Sequence, residues 1–264
     1  DPYPRVKALR ETMRAEGVSE DTAIVMAGGV WCLREWNDWI DNPELGTIMF
    51  QFGTRPLLTE ESPIPQVWKD MLRTVEPGDV LLHQFSPTGF YSSAVKTPFL
   101  YDLMHRSERQ IPIFKRDEVE GTVPLSDHGK AKYFWVHPGD QRKALAWIHE
   151  GFSEALKTPD DTVVFVTPES AEQIRADQQG CMGCLSHCQF SSWKDHDDYT
   201  TGRLADPRSF CIQKTLQDIA HGGDPDDNLA FAGHAAYRFK QDPFYSNNFT
   251  PTVKQLVERI LTGD

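Results

Sequence analysis

The sequence predicts an α/β fold that grows outward from one β-α-β unit near its start. Three observations carry that reading. First, residues 23–27 and 47–52 are short apolar runs closed by glycine, Gly28-Gly29 after the first and Gly53 after the second. Runs of that length bounded by turn residues read as buried parallel strands. Second, Leu33, Trp36, Trp39 and Ile40 keep helical spacing between the two runs, and Asn42-Pro43 ends that helix. Third, the rest of the chain alternates amphipathic helices with short strands and shows no internal repeat.

The glycines have a chemical use. Without a Cβ, backbone N–H groups at a strand end can approach an anion closely. Gly28, Gly29 and Gly53 offer such groups, Thr54 adds a hydroxyl donor, and Gln51 sits at the same strand end. A phosphate held by the last strands of a β/α barrel needs this arrangement. The same glycines equally suit plain turns.

Ala27-Gly28-Gly29, followed one βα unit later by Gln51-Phe52-Gly53-Thr54-Arg55, resembles the nitronate monooxygenase (2-nitropropane dioxygenase) family. The similarity continues in Thr59-Glu60-Glu61-Ser62-Pro63, Trp68-Lys69, Lys96-Thr97-Pro98-Phe99-Leu100 and Phe231-Ala232-Gly233-His234. The resemblance implies an FMN-binding (β/α)8 barrel whose seventh and eighth strands hold the FMN phosphate through Gly28, Gly29, Gln51, Gly53 and Thr54. It implies oxidation of alkyl nitronates by oxygen to a carbonyl compound and nitrite, or use of NAD(P)H as donor. It also implies that His234 and Tyr237 face a small-molecule substrate or the flavin, as catalytic candidates.

A whole barrel takes about 250 residues and eight βα units, and only two barrel strands are legible before residue 59. The expectation is therefore residues 1–62 as the last two barrel units. Residues 63–264 are then a mostly helical extension over the barrel mouth, with a cysteine cluster at 181–211. The first six strands are missing, cleaved or on another chain. The alternative is an accessory subunit or fragment, bearing Fe–S or zinc, that completes a flavoenzyme site on a partner.

In chain order, residues 4–17 read as a helix with Val6, Leu9 and Met13 in one stripe, stopped by Gly17. Residues 66–75 form a second amphipathic helix, 80–85 a strand and 86–90 a loop. Residues 99–106 read as a helix, 111–129 as irregular, and 132–137 as a short aromatic stretch. Ala144, Leu145, Trp147, Ile148, Phe152 and Leu156 predict one helix over 141–156. A strand at 163–166 and helices at 169–178 and 208–220 follow, the last ended by Gly222-Gly223. A strand at 229–232 and a helix at 252–261 close the chain.

Cys181, Cys184 and Cys188 lie within eight residues, and Cys211 follows. Four thiolates complete either a tetrahedral zinc site or a [4Fe–4S] cluster. The spacing resembles the cluster loop of flavin enzymes such as dienoyl-CoA reductase, in which the fourth cysteine comes sooner. Zinc, with His187 or His196 replacing a thiol, and simple burial of the thiols stay open as alternatives. Cys32 stands alone and reads as a core residue. The pattern places the chain in a reducing compartment, and the expectation is cytoplasmic.

The net charge of −12 disfavours nucleic acid and anionic membrane surfaces as partners. No apolar run reaches the length of a membrane span. Arg55 pairs either with the phosphate or with a local carboxylate, and the second is favoured. The acidic runs 195–198 and 224–227 lack the glycine and distal glutamate of a calcium loop and read as solvated surface. No nucleophile elbow or P-loop is present.

Overall fold

The structure, a computed structural model, describes residues 1–116, 118–126, 133–185, 187–191 and 204–262. The order is α1 (Tyr3–Ala15), β1 (Ile24–Ala27), β2 (Ile48–Gln51), α2 (Gln66–Thr74), β3 (Val80–His83), β4 (Ser92–Val95) and α3 (Pro98–His105). There follow β5 (Gln110–Pro112), β6 (Val123–Ser126), β7 (Tyr133–Val136), α4 (Pro138–His149), β8 (Glu154–Lys157) and β9 (Thr162–Val166). Helices α5 (Pro168–Gln179), α6 (Ile212–Ala220), α7 (Arg238–Gln241) and α8 (Val253–Leu261) complete the chain, with 3₁₀ turns between. Among the described residues no helix is long and apolar enough to cross a membrane.

The chain divides into two compact units. The first is Asp1–Leu81, Ser93–Val95 and Ala230–Asp264; the second is Leu82–Ser92 and Lys96–Leu229. This differs from a boundary after residue 62, because α2 and residues 230–264 fall in the same unit as the N-terminal strands. Only the resemblance at Phe231-Ala232-Gly233-His234 implies that return.

In the first unit, α1 starts with a proline in its first turn and ends in a complete Schellman motif. Gly17, at φ 73°, donates to the Arg14 carbonyl, and Val18 donates to that of Met13. Strands β1 and β2 pair in parallel, Ile24 beside Ile48 through Ala27 beside Gln51. Buried Arg10 ties α1 to the start of this pair. Its Nε donates to the Leu45 carbonyl at 2.6 Å, and its two terminal nitrogens donate to those of Thr22 and Thr47 at 3.0 Å. Alternate strand residues Ile24, Met26, Ile48 and Phe50 pack on Val6, Trp39 and Leu45. The other face is open, with Val25 54% and Met49 56% exposed.

The segment between the strands is not the continuous α-helix its spacing predicts. Leu33–Trp39 forms 3₁₀ turns broken at Trp36, whose φ of −120° is non-helical. The break lets Trp36 and Trp39 pack edge-on to each other at 5.1 Å, while Trp36 also meets Phe50 and Trp39 meets Tyr3. Residues 229–232 make a single bridge, Phe231 with Ala94, instead of a strand. The apolar run there is too short before Gly233 for a ladder. Helix α8 carries a capping box between Thr252 and Gln255. Thr59, Glu60 and Glu61 hold that end of the chain: Glu60 donates to the Pro251 carbonyl, and Glu61 Oε2 accepts from Val253. Lys69, buried, donates to the Thr59 carbonyl at 2.7 Å.

In the second unit, β5-β9-β8 form an antiparallel sheet and β6-β7 a hairpin around Ile111, Leu125, Phe134, Val136, Ala144, Ile148, Val163 and Phe165. The stretch expected to be irregular, 111–129, holds strand residues at both ends of its described part, in β5 and β6, and Ile111, Ile113, Val123 and Leu125 pack in this core; residues 117 and 127–129 lie outside the described residues. Helix α4 stops at His149, short of the predicted 156. Gly151, at φ 100°, closes a Schellman motif, and Phe152 donates to the Trp147 carbonyl. Leu156 continues the apolar stripe in sequence but lies in β8, opposite Val164. Helix α6 starts at Ile212, with Cys211 as its N-cap, not at Arg208.

Candidate functional site

The pairing of Ala27 with Gln51 sets the C-terminal ends of β1 and β2 side by side. Gly28 and Gly29 follow one strand and Gly53 the other. Gly28 and Gly29 stand at φ 85° and 75°, where a Cβ is strained. A Cβ on Gly28 or Gly53 meets nothing within 4 Å. The ground beside these two residues is open, and Gly53 is not there to relieve packing. Gln51 is exposed and lies on the open face of the sheet with Val25, Ala27 and Met49.

A third segment, about 180 residues away in sequence, comes to the same place. Gly233 N donates to Thr54 Oγ1 at 2.8 Å. The separation of Thr54 Oγ1 from the point where a Gly233 Cβ would stand is also 2.8 Å, so only glycine fits there. His234 follows, exposed, with its imidazole against the Gly29 turn. A Cβ on Gly29 falls 2.9 Å from His234 Cε1 and 3.1 Å from Nε2. Tyr237, half-buried, lies in the same short 3₁₀ turn as His234. Residues three apart in a 3₁₀ turn eclipse one another, so His234 and Tyr237 share one side of it. The structure therefore joins Gly29, Thr54 and His234. It gives Tyr237 no polar contact among those described.

Thr54 accepts the Gly233 N–H, which leaves its own hydroxyl proton to donate elsewhere. The ends of the two strands thus carry three glycines, one hydroxyl and one imidazole, with open ground beside Gly28 and Gly53. That donor set suits an anion such as a phosphate.

Arg55 takes no part in it. It is buried at 1% exposure and donates to the Tyr245 hydroxyl at 3.0 Å and to the Trp31 carbonyl at 2.6 Å. Asp242 lies 3.9 Å from its Nη2, and Trp31, Phe244 and Tyr245 surround its guanidinium. Burial pushes the Tyr245 hydroxyl pKa up, and Arg55 partly offsets this. Beside this knot Arg238 pairs with Glu35, and its bonds hold the Glu35 carboxyl below the usual range. No motif in the sequence signals this network, since its members are spread from residue 31 to 245.

In the second unit Cys181, Cys184, Cys188 and Cys211 line one small pocket, with Phe190 and Lys214 among its other walls. All four are free thiols, Cys184 exposed and the others half-buried. Burial pushes the Cys211 thiol up, partly offset by the backbone amides of Lys214 and Gln213. Among the described residues no three His, Cys, Asp or Glu side chains close into a metal-holding group. Cys32 is buried in the first unit and stands apart from these. His196 and the acidic run 195–198 lie outside the described residues. The other acidic run is a local cap: Asp224 Oδ1 accepts from the Asp226 amide at 2.9 Å.

No family model, no curated protein and no solved structure matches this chain.

Proposed function

We propose that the chain is part of an FMN-dependent oxidoreductase of the nitronate monooxygenase type, and that β1 and β2 are the last two strands of its (β/α)8 barrel. The observation that carries this reading is the meeting of Gly29, Thr54 and Gly233-His234 at the ends of two parallel strands. An open, apolar sheet face that ends in Gln51 also suits a barrel interior, where further strands cover it.

The amides after Gly28, Gly29 and Gly53 donate to the phosphate oxygens, and Thr54 adds its hydroxyl proton. Ionised acceptors make such bonds stronger than neutral ones. His234 supplies an imidazole N–H at the Gly29 turn, so it positions the phosphate end, while Tyr237 stands on the same side toward substrate. The bound flavin supplies the electron transfer, and the protein supplies grip, orientation and exclusion of water.

The sheet's exposed face also supports a second reading, in which this chain completes an active site carried by a partner. Titration of the chain with FMN and with riboflavin, followed by flavin fluorescence, tests the first. FMN is expected to bind at least about tenfold tighter, the value of one charge-assisted hydrogen bond. Equal affinities overturn the phosphate cradle. Flavin binding that needs an added partner favours the second reading.

A further inference from the structure

We propose that a cavity in the first unit, walled by residues 31–35, α7 and α8, binds a small organic phosphate through Arg34, Arg238 and Arg259. This goes beyond the flavin reading and does not depend on it, since none of these residues belongs to the cradle at the strand ends.

The first support is room. The cavity measures about 430 Å³ and opens to solvent. Small-molecule sites run from about 300 to 1,000 Å³, so this one holds more than a bare phosphate ion. Its walls come from segments far apart in the sequence, and all of them belong to one compact unit.

The second support is charge. The guanidinium groups of Arg34, Arg238 and Arg259 line this one cavity, against the carboxylates of Glu35 and Asp242. Both carboxylates are engaged in the wall. Glu35 accepts from the two terminal nitrogens of Arg238. Asp242 accepts from Trp31 Nε1 at 2.9 Å and from the Phe244 amide at 3.0 Å. Buried Arg55 stands behind Asp242, 3.9 Å away. The walls therefore carry a net positive charge, on a chain whose overall charge is −12. Like charges gathered from three segments cost free energy, and a bound anion offsets that cost.

The third support is that two of the guanidiniums are held in place. Arg238 lies over the Trp31 ring at 5.2 Å, and Arg259 lies over the Phe244 ring at 5.4 Å. Contact through the flat face of a guanidinium leaves its N–H donors at the edge. The pair with Glu35 fixes Arg238 further. Each terminal nitrogen of an arginine carries two hydrogens, so Arg238 keeps donors for a ligand. The number of forks selects the ligand. One guanidinium satisfies one carboxylate, whereas a phosphate group brings a charge near two and three acceptor oxygens. Three arginines around one cavity match the phosphate.

The test is isothermal titration of the full chain with inorganic pyrophosphate as the probe. Gly53→Val is present throughout, so that the strand ends do not contribute. One pyrophosphate per chain is expected, with a Kd of about 1 mM or tighter. ADP, titrated in parallel, is expected to bind at least as tightly, because the cavity has room beyond the diphosphate. Arg34→Gln and Arg259→Gln are each expected to weaken pyrophosphate at least about tenfold, the value of one charge-assisted hydrogen bond. Lys7→Gln removes a surface cation outside the cavity and is expected to leave the affinity unchanged. Circular dichroism checks the fold of each variant. Arg34 is exposed, and Arg34→Gln carries the test if Arg259→Gln unfolds. The absence of saturable binding overturns the proposal, as does full affinity in Arg34→Gln or in a folded Arg259→Gln. An equal loss in Lys7→Gln overturns it too, and ADP binding tenfold weaker than pyrophosphate overturns the organic ligand.

Discussion

Alanine at Gly29 separates a turn that merely reverses the chain from one that is built against His234. Gly28 and Gly29 both have positive φ, 85° and 75°. An alanine pays about 1–2 kcal/mol for that conformation at either position. At Gly28 nothing further happens, because a Cβ there has no neighbour within 4 Å. At Gly29 the new methyl lies 2.9 Å from His234 Cε1 and 3.1 Å from Nε2. Ordinary contact between such atoms is about 3.5–4.0 Å, so the imidazole has to withdraw. It is the exposed end of a side chain and can do so by leaving its rotamer, at about 0.5–1.5 kcal/mol. Gly28→Ala is therefore expected to cost about 1–2 kcal/mol and Gly29→Ala about 2–3 kcal/mol. Urea unfolding measures both. The extra cost of Gly29→Ala vanishes in a His234→Ala background, a coupling of about 1 kcal/mol in the double-mutant cycle. Equal costs for the two alanines, with no coupling to His234, refute the contact and with it the place of His234 in the site.

Three further outcomes follow from the fold. Arg55→Met leaves the buried Trp31 carbonyl and Tyr245 hydroxyl without their donor and is expected to cost about 2–4 kcal/mol in urea unfolding. Arg55→Lys recovers little of this, because one ammonium cannot replace a fork aimed at two acceptors. Burial holds the Asp177 carboxyl up at about 6, above its value in the unfolded chain. The protonated group therefore supports the fold fully below about pH 4, and its contribution is lost as the pH rises through about 6. After allowance for solvent screening of a half-exposed carboxyl the change is about 1 kcal/mol, and Asp177→Asn should flatten it in urea midpoints taken across that range. Thr252→Ala removes one half of the capping box on α8 and should cost about 1 kcal/mol, read as a lower urea midpoint.

The local elements were legible wherever a breaker coincided with the end of an apolar pattern. Gly17 after α1 and the glycines after β1 and β2 are such places. Residues 141–156 misled because the apolar stripe ran past the true end of the helix. Phe152 and Leu156 suit a helix face and a strand equally well, and only the left-handed Gly151 tells them apart. At 33–40 the spacing was helical, but two adjacent tryptophans compete for one sheet face, and short turns satisfy both. The glycines and cysteines stand out in the sequence by residue type and spacing, and the structure sets Gly28, Gly29 and Gly53 at paired strand ends and Cys181, Cys184, Cys188 and Cys211 on one pocket. The contact of His234 with Gly29 spans 205 residues and leaves no local pattern, so only the resemblance at 231–234 points His234 toward that site. Arg55 was read toward a local carboxylate, and its partners are a carbonyl, a hydroxyl and Asp242.

The phosphate cradle is tested most directly at Gly53. Its backbone needs no glycine, since φ is not positive and a Cβ meets nothing within 4 Å. Gly53→Val therefore places a side chain in open ground and leaves the fold intact. The measurement is the FMN content of purified Gly53→Val against wild type, with urea midpoints taken on the same samples. An unchanged midpoint with the flavin lost is the expected result. A full complement of FMN in the folded variant contradicts the cradle.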